Sequence, residues 1–262
     1  MNPFQQQAPI PGVKHVLAVG SGKGGVGKST VAVNLAMALA KRGRKVGLLD
    51  ADIYGPSVPR MLGAHNQRPE VNEAKKIQPV LRYGVKTMSL GYLVDEAQAA
   101  VWRGPMLFKA MDQFFRDVDW GELDELIIDL PPGTGDVGLT MAQKVPVTGA
   151  ILVCTPQNVA LADAKKALDM FERTNVPVMG VVENMAWLET PAGEGVQLYP
   201  KGDLDTYLSA KRIPKLAEIP FLTEIGVSSE AGIPLLESHT DDAQARAFTD
   251  LASAVLERIP RP

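Results

Sequence analysis

An α/β fold, with a doubly wound, mainly parallel sheet and helices on both faces, is expected from this sequence on three grounds. Short apolar runs alternate with stretches of helical periodicity along most of the chain. The first such run, Val16 to Val19, leads into Gly20-Ser21-Gly22-Lys23-Gly24-Gly25-Val26-Gly27-Lys28-Ser29-Thr30, and a helical run, Val31 to Ala40, leads out. Two later runs end in aspartate, at Asp50 and at Asp129. Sheets wound this way carry their sites at the carboxyl ends of the strands.

The glycine stretch has the spacing of a phosphate-binding loop: Gly22, four residues, then Gly27-Lys28-Ser29. Glycines at Gly22, Gly24, Gly25 and Gly27 let successive backbone N–H groups turn inward around a phosphate, with Val26 between them. The helix that follows presents its positive end, Ser29 and Thr30, to the same place. Lys28 is expected at the β- and γ-phosphates of ATP, and the Ser29 hydroxyl on Mg²⁺. This makes the fold a P-loop NTPase.

The chain then reads in order. Residues 1–12, rich in Gln and Pro, are expected to form a flexible arm ahead of one ATPase domain over 13–262. His15–Gly20 is the first strand and Ser29–Arg42 the first helix, stopped by Gly43. Val46–Leu49 is a buried strand that closes a βαβ unit. It delivers Asp50 and Asp52, whose i, i+2 spacing would send both carboxylates from one side of a strand end. Either they approach the γ-phosphate and Mg²⁺, or they are acidic turn residues that cap the helix at Pro56. Between Gly63 and Ala100 prolines and glycines break the pattern into short pieces, with a strand at Val85–Leu90. Val101-Trp102-Arg103-Gly104-Pro105 opens a helix, with proline in its first turn. Its stripe of Leu107, Met111, Phe114, Phe115 and Val118 reads as core. The strand expected over Glu125–Asp129 carries the run Leu126-Ile127-Ile128-Asp129 and ends in a Mg²⁺-holding aspartate. The glycines of Leu130-Pro131-Pro132-Gly133-Thr134-Gly135-Asp136 suit a loop that moves when the γ-phosphate leaves. Further strands are expected at Ala150–Cys154, Val178–Glu183 and Leu216–Ile219, and a packing helix over Asp241–Arg258.

Composition excludes several functions. Hydrophobic residues are 45% and charged residues 22% of the 262, ordinary for a globular chain. A net charge of −3 offers no electrostatic footprint for nucleic acid or an anionic membrane. No apolar run approaches the roughly 18 residues of a membrane span. A single cysteine, Cys154, suits a reducing, cytoplasmic setting and, in a strand, reads as a small apolar filler. His15, His65 and His239 lack metal-ligand spacing.

The loop Lys23-Gly24-Gly25-Val26-Gly27-Lys28-Ser29 resembles the deviant Walker A signature of the MinD/ParA/nitrogenase-iron-protein group. The resemblance implies that Lys23 crosses a homodimer interface to the partner's nucleotide; alternatively it is an exposed lysine adding positive charge. It also implies that Asp52 positions the attacking water and that Asp50 serves the outer Mg²⁺ shell. Trp102-Arg103-Gly104-Pro105-Met106, Trp120-Gly121-Glu122-Leu123-Asp124, Thr155-Pro156-Gln157 and Val182-Glu183-Asn184-Met185 together are similar to the Mrp/ApbC family, over about residues 13 to 260. That family implies an ATPase that carries iron–sulfur clusters. By the same resemblance Asn184 hydrogen-bonds the adenine, and the Ile219-Pro220-Phe221 turn lines its pocket; otherwise Asn184 caps a strand end. Two departures stand out. Many relatives carry an extra domain before the ATPase, where here about a dozen residues precede it. Relatives follow Glu-Asn-Met with Cys-Pro-Xaa-Cys and hold a [4Fe–4S] cluster between subunits. Here Thr190 and Gly193 stand at the cysteine positions, and neither is a thiolate. The expected role is ATP-switched iron–sulfur cluster assembly or transfer, through a recipient or a cysteine-bearing relative. The alternative is a ParA/MinD-like positioning or scaffolding switch.

Overall fold

The computed structural model describes residues 7–53, 55–93, 104–133, 135–190, 195–221, 223–238 and 243–260. The first half runs β1 (Val13–Ser21), α1 (Lys28–Lys41), β2 (Val46–Asp50), the single turn α2 (Val58–Met61), β3 (Val80–Arg82), β4 (Val85–Ser89), α3 (Gly104–Arg116), β5 (Leu123–Asp129) and α4 (Asp136–Lys144). The second runs β6 (Gly149–Cys154), α5 (Asn158–Arg173), β7 (Val178–Glu189), β8 (Gly195–Val196), α6 (Leu204–Lys211), β9 (Lys215–Phe221), α7 (Thr223–Ala231), α8 (Leu235–Ser238) and α9 (Ala243–Leu256).

Among the described residues the strands form one sheet in the order β3-β4-β2-β5-β1-β6-β7-β8, with β9 also paired to β7. The pairings are parallel except β3 with β4 and β7 with β8. The expected doubly wound parallel sheet is therefore what forms. β1 sits between β5 and β6, where successive connections diverge to opposite sides, and the loop after it opens into the crevice this creates. The register is level there: Val19 of β1 and Asp50 of β2 both stand opposite Asp129 of β5.

Two cores cover the two faces. Val16 and Ala18 face one, with Phe114, Phe115 and Phe171; Leu17 and Val19 face the other, with Leu35, Leu39 and Phe248. Alternate residues of one strand thus serve opposite cores, which is why the central strands read as unbroken apolar runs. α1 is buried continuously from Val31 to Leu39 because it lies between the sheet and α9. Met111, Phe114, Phe115 and Val118 of the expected stripe are buried. Trp102 and Arg103, expected to open that helix, lie outside the described residues.

The segment 7–12 does not behave as a loose arm. Ile10 is buried, the Ala8 N–H donates to the Lys144 carbonyl at 3.1 Å, and the Arg116 guanidinium donates to the Ala8 and Pro9 carbonyls. Proline excludes a helix here but leaves the carbonyls free to accept. Residues 1–6 of the expected arm lie outside the described ones.

One contact links distant parts of the chain. Gly63, just past α2, meets Gly232, just past α7, backbone to backbone. A Cβ on Gly232 would stand 2.5 Å from the Gly63 Cα, and one on Gly63 would stand 2.9 Å from the Gly232 carbonyl oxygen. The Tyr83 hydroxyl donates to that same carbonyl at 3.0 Å.

Candidate functional site

The loop between β1 and α1 starts the site. Gly27 has φ +80°, and a Cβ there would fall 2.2 Å from the Asn184 amide nitrogen, so any other residue at position 27 would be strained and would displace Asn184. No side chain caps α1, and its first turn holds no acidic residue. Its leading N–H groups are left to an anion. These groups border a cavity of about 340 Å³ that is also lined by Lys23, Lys28, Ser29 and Asp52.

Beneath the cavity lies a buried charge cluster. Lys28 Nζ donates to Asp129 Oδ1 at 2.6 Å and to Ser29 Oγ at 3.2 Å. Asp129 is fully buried, and its Oδ2 has no hydrogen-bond partner. Asp50 stands beside it on the next strand, also buried. Burial first, then the Asp129 charge, push the Asp50 carboxyl up to about 8, against Lys28 and two backbone N–H groups. Burial raises Asp129 as well, opposed by Lys28 and Ser29. One ammonium thus faces two buried carboxylates. The unpartnered Asp129 oxygen and the nearby Ser29 hydroxyl fit a hard divalent cation such as Mg²⁺.

Asp50 and Asp52 do not share a direction. β2 ends at Asp50, so strand alternation no longer governs Asp52. Asp50 turns inward. Its Oδ1 accepts from the Asp52 N–H at 3.1 Å; its Oδ2 accepts from the Val58 N–H at 3.1 Å and the Ser89 hydroxyl at 3.2 Å. Asp50 anchors the loop that carries Asp52. Asp52 borders the cavity and accepts from the Gly55 N–H at 3.3 Å. The β5–α4 loop is tied to the glycine loop: the Gly133 N–H donates to the Ser21 carbonyl at 2.9 Å. Thr134 lies outside the described residues.

A second cavity, about 710 Å³, adjoins the first and is mostly apolar, with Met185, Pro220, Phe221 and Ile225 in its walls. Asn184 lines it, and its amide nitrogen donates to the Val26 carbonyl at 2.8 Å. Met185 holds φ +56° inside β7, where the pairing with β9 shifts register, so the strand kinks beside this cavity. The sequence reading missed α7 as a wall of this cavity. Thr223–Ala231 carries no apolar stripe, and only Ser228 is buried. It also missed Ser57 and Arg60, which border the first cavity from the α2 side.

Cys154 is buried, and desolvation pushes its thiol up to about 12. Glu183, opposite Cys154 on β7, joins Asp205 and Glu218 in surrounding the Lys215 ammonium, which stands where a cation would. Thr190 is half-buried at the end of β7; Gly193 lies outside the described residues.

Comparison with known proteins agrees with this geometry. The family described as "ParA: NUBPL iron-transfer P-loop NTPase" matches residues 12–256. The iron-sulfur cluster carrier protein of Aquifex aeolicus is 48% identical over 98% of this chain and 71% of its own length. Its namesake in Escherichia coli is 45% identical over 97% and 69%. Among solved structures, a nucleotide-binding protein of Archaeoglobus fulgidus in complex with ADP is 35% identical. The match covers 100% of this chain and 97% of that one, with a TM-score of 0.78. The cell division ATPase MinD of Pyrococcus furiosus, 23% identical, covers 93% and 98% with a TM-score of 0.69, which speaks for the fold alone. This chain belongs to the ParA/NUBPL iron-transfer family of P-loop NTPases.

Proposed function

We propose that the protein is a Mg²⁺-dependent ATPase that acts as a nucleotide-switched homodimer in iron–sulfur cluster assembly or transfer. The observation that carries this reading is the joining of two cavities. One is glycine-lined, with a buried lysine; the other is apolar, with a single amide at its edge. Phosphates and a base need that pair of environments in that order. The ADP bound by the Archaeoglobus relative and the names of the carrier relatives support the rest.

In this reading the α1 N–H groups and Lys28 hold the β- and γ-phosphates. Ser29 and Asp129 hold Mg²⁺, which neutralises phosphate charge when bound. Asp52 orients a water for attack on the γ-phosphorus and accepts its proton, and ADP leaves with the β–γ bridging oxygen. Asp50 holds the Asp52 loop by its backbone. Asn184 and Pro220 frame the adenine. The domain spans 13–262 and acts in the cytoplasm, without nucleic acid or membrane as partner. No helix of the described residues is long and apolar enough to cross a membrane.

Lys23 borders the phosphate cavity of its own chain, and in the proposed dimer it reaches the partner's nucleotide. Lys23→Ala is expected to bind ATP but lose nucleotide-induced dimerisation, read by light scattering with a non-hydrolysable analogue. An unchanged dimer would remove the trans role.

Cluster chemistry separates this reading from a positioning switch. Cluster iron is held by thiolates, usually four. Cys154 is the only cysteine, and burial keeps it a thiol. The protein alone is therefore expected to hold no stoichiometric [4Fe–4S] cluster after anaerobic reconstitution, measured by iron and sulfide content. It acts instead through a recipient or a cysteine-bearing relative, and adding it with ATP speeds cluster delivery between them. No change in delivery would favour the ParA/MinD-like alternative, and bound cluster at full stoichiometry would return the chain to direct carriage.

A further inference from the structure

We propose that Glu230, helped by Ser229, reads the ribose 2′-hydroxyl and makes the site selective for ribonucleotides over 2′-deoxyribonucleotides. The inference rests on the nucleotide reading above and adds a specificity determinant to it. Four residues border both cavities: Gly27, Thr30, Ser229 and Glu230. Gly27 and Thr30 come from the loop and α1, and Ser229 and Glu230 come from α7. A nucleotide is ordered base, ribose, phosphate. With phosphates on the glycine loop and the base among Met185, Pro220 and Phe221, the ribose lies where the cavities meet, between these two pairs.

The chemistry at that junction is selective. An ionised carboxylate only accepts hydrogen bonds. Phosphate oxygens also only accept, and they carry like charge, so Glu230 cannot serve the phosphates. Between the base and the phosphates, the sugar hydroxyls are the donors a nucleotide offers. A hydroxyl donating to a carboxylate forms a charge-assisted bond, about twice as strong as a neutral one. Acidic residues read ribose hydroxyls in this way in dinucleotide-binding folds. Ser229 adds a hydroxyl that can donate or accept beside it.

The backbone behind Glu230 is held in place. Ser228 is buried, and its carbonyl accepts from the Ile233 N–H at 3.0 Å. Gly232, two residues on, is pressed against Gly63 and held by the Tyr83 hydroxyl. The Glu230 side chain itself is exposed, so its replacement disturbs no core.

The test is equilibrium titration of the full chain, with Mg²⁺, by ATP and by 2′-deoxy-ATP. The wild type is expected to prefer ATP by about 10- to 100-fold, the weight of one hydrogen bond to a charged group. Glu230→Ala should bring that ratio close to one, and Glu230→Gln, which keeps an acceptor without the charge, should fall between. Equal wild-type affinity for the two nucleotides overturns the ribose assignment and leaves the nucleotide site standing. So does a ratio that survives Glu230→Ala. Failure to bind either nucleotide removes the nucleotide site, and this proposal with it.

Discussion

Lys28→Ala is expected to lower ATP affinity by roughly 100- to 1,000-fold, the scale of one or two hydrogen bonds to charged phosphate oxygens. It should also lower the stability of the protein without nucleotide. Lys28 is 6% exposed, and its ammonium is the positive charge between Asp129 and Asp50. Removing one partner of a buried pair costs about 3–5 kcal/mol, because the other charge stays buried without compensation. Asp129 would be left with neither oxygen paired to a cation, beside a second buried carboxylate. The two effects are read separately: a fluorescent ATP analogue gives the affinity, and thermal unfolding without nucleotide gives the stability. Wild-type affinity in the variant would dismiss the loop as the phosphate site. An unchanged melting temperature would dismiss the buried pair as a stabilising element.

Asp52→Ala should separate binding from turnover. The side chain borders the phosphate cavity, yet the loop that carries it is fixed from below. Asp50 takes the Asp52 and Val58 N–H groups, bonds that do not involve the Asp52 carboxylate. Truncation therefore removes the carboxylate and its bond to the Gly55 N–H, while both Asp50 anchors remain. Mg-ATP affinity should stay within a few-fold, while hydrolysis falls by about 10²–10⁴, the range for a lost base or positioning group. Phosphate release under saturating Mg-ATP measures it. Undiminished turnover would take the role away from Asp52, with Asp50 the next candidate.

The strands that built the sheet were legible where burial on both faces leaves no room for polar residues. β1, β2, β5 and β6 were expected within one or two residues of their observed ends. The short antiparallel strands β3 and β8 were not, because two or three residues at a sheet edge are too few to carry a pattern. β7 was expected to stop at Glu183 but continues to Glu189 through the kink at Met185, whose backbone conformation no composition signals. The glycine loop was readable because its spacing is itself the chemistry. The meeting of Gly27 with Asn184 was not, being a contact across 157 residues of chain. Asp50 shows the limit of strand logic. Alternation places side chains only while the strand lasts, and it ends at that residue. The α7 wall stayed invisible for the opposite reason: its residues face a cavity rather than a core, so nothing selects an apolar stripe.

The Gly63–Gly232 contact has a mechanical consequence. Helix α7, which walls the apolar cavity, and turn α2, which follows the Asp52 loop, touch there through bare backbone. Side chains at a joint can change rotamer and absorb a small displacement, but two glycine backbones have no such slack, and packed protein transmits strain rather than absorbing it. Gly63 and Gly232 thus join the helix that walls the apolar cavity to the turn behind the Asp52 loop. The Val58 N–H joins that turn to the Asp50 carboxylate, which also accepts from the Asp52 N–H, so one unbroken line of backbone contacts runs from the apolar cavity to the polar one.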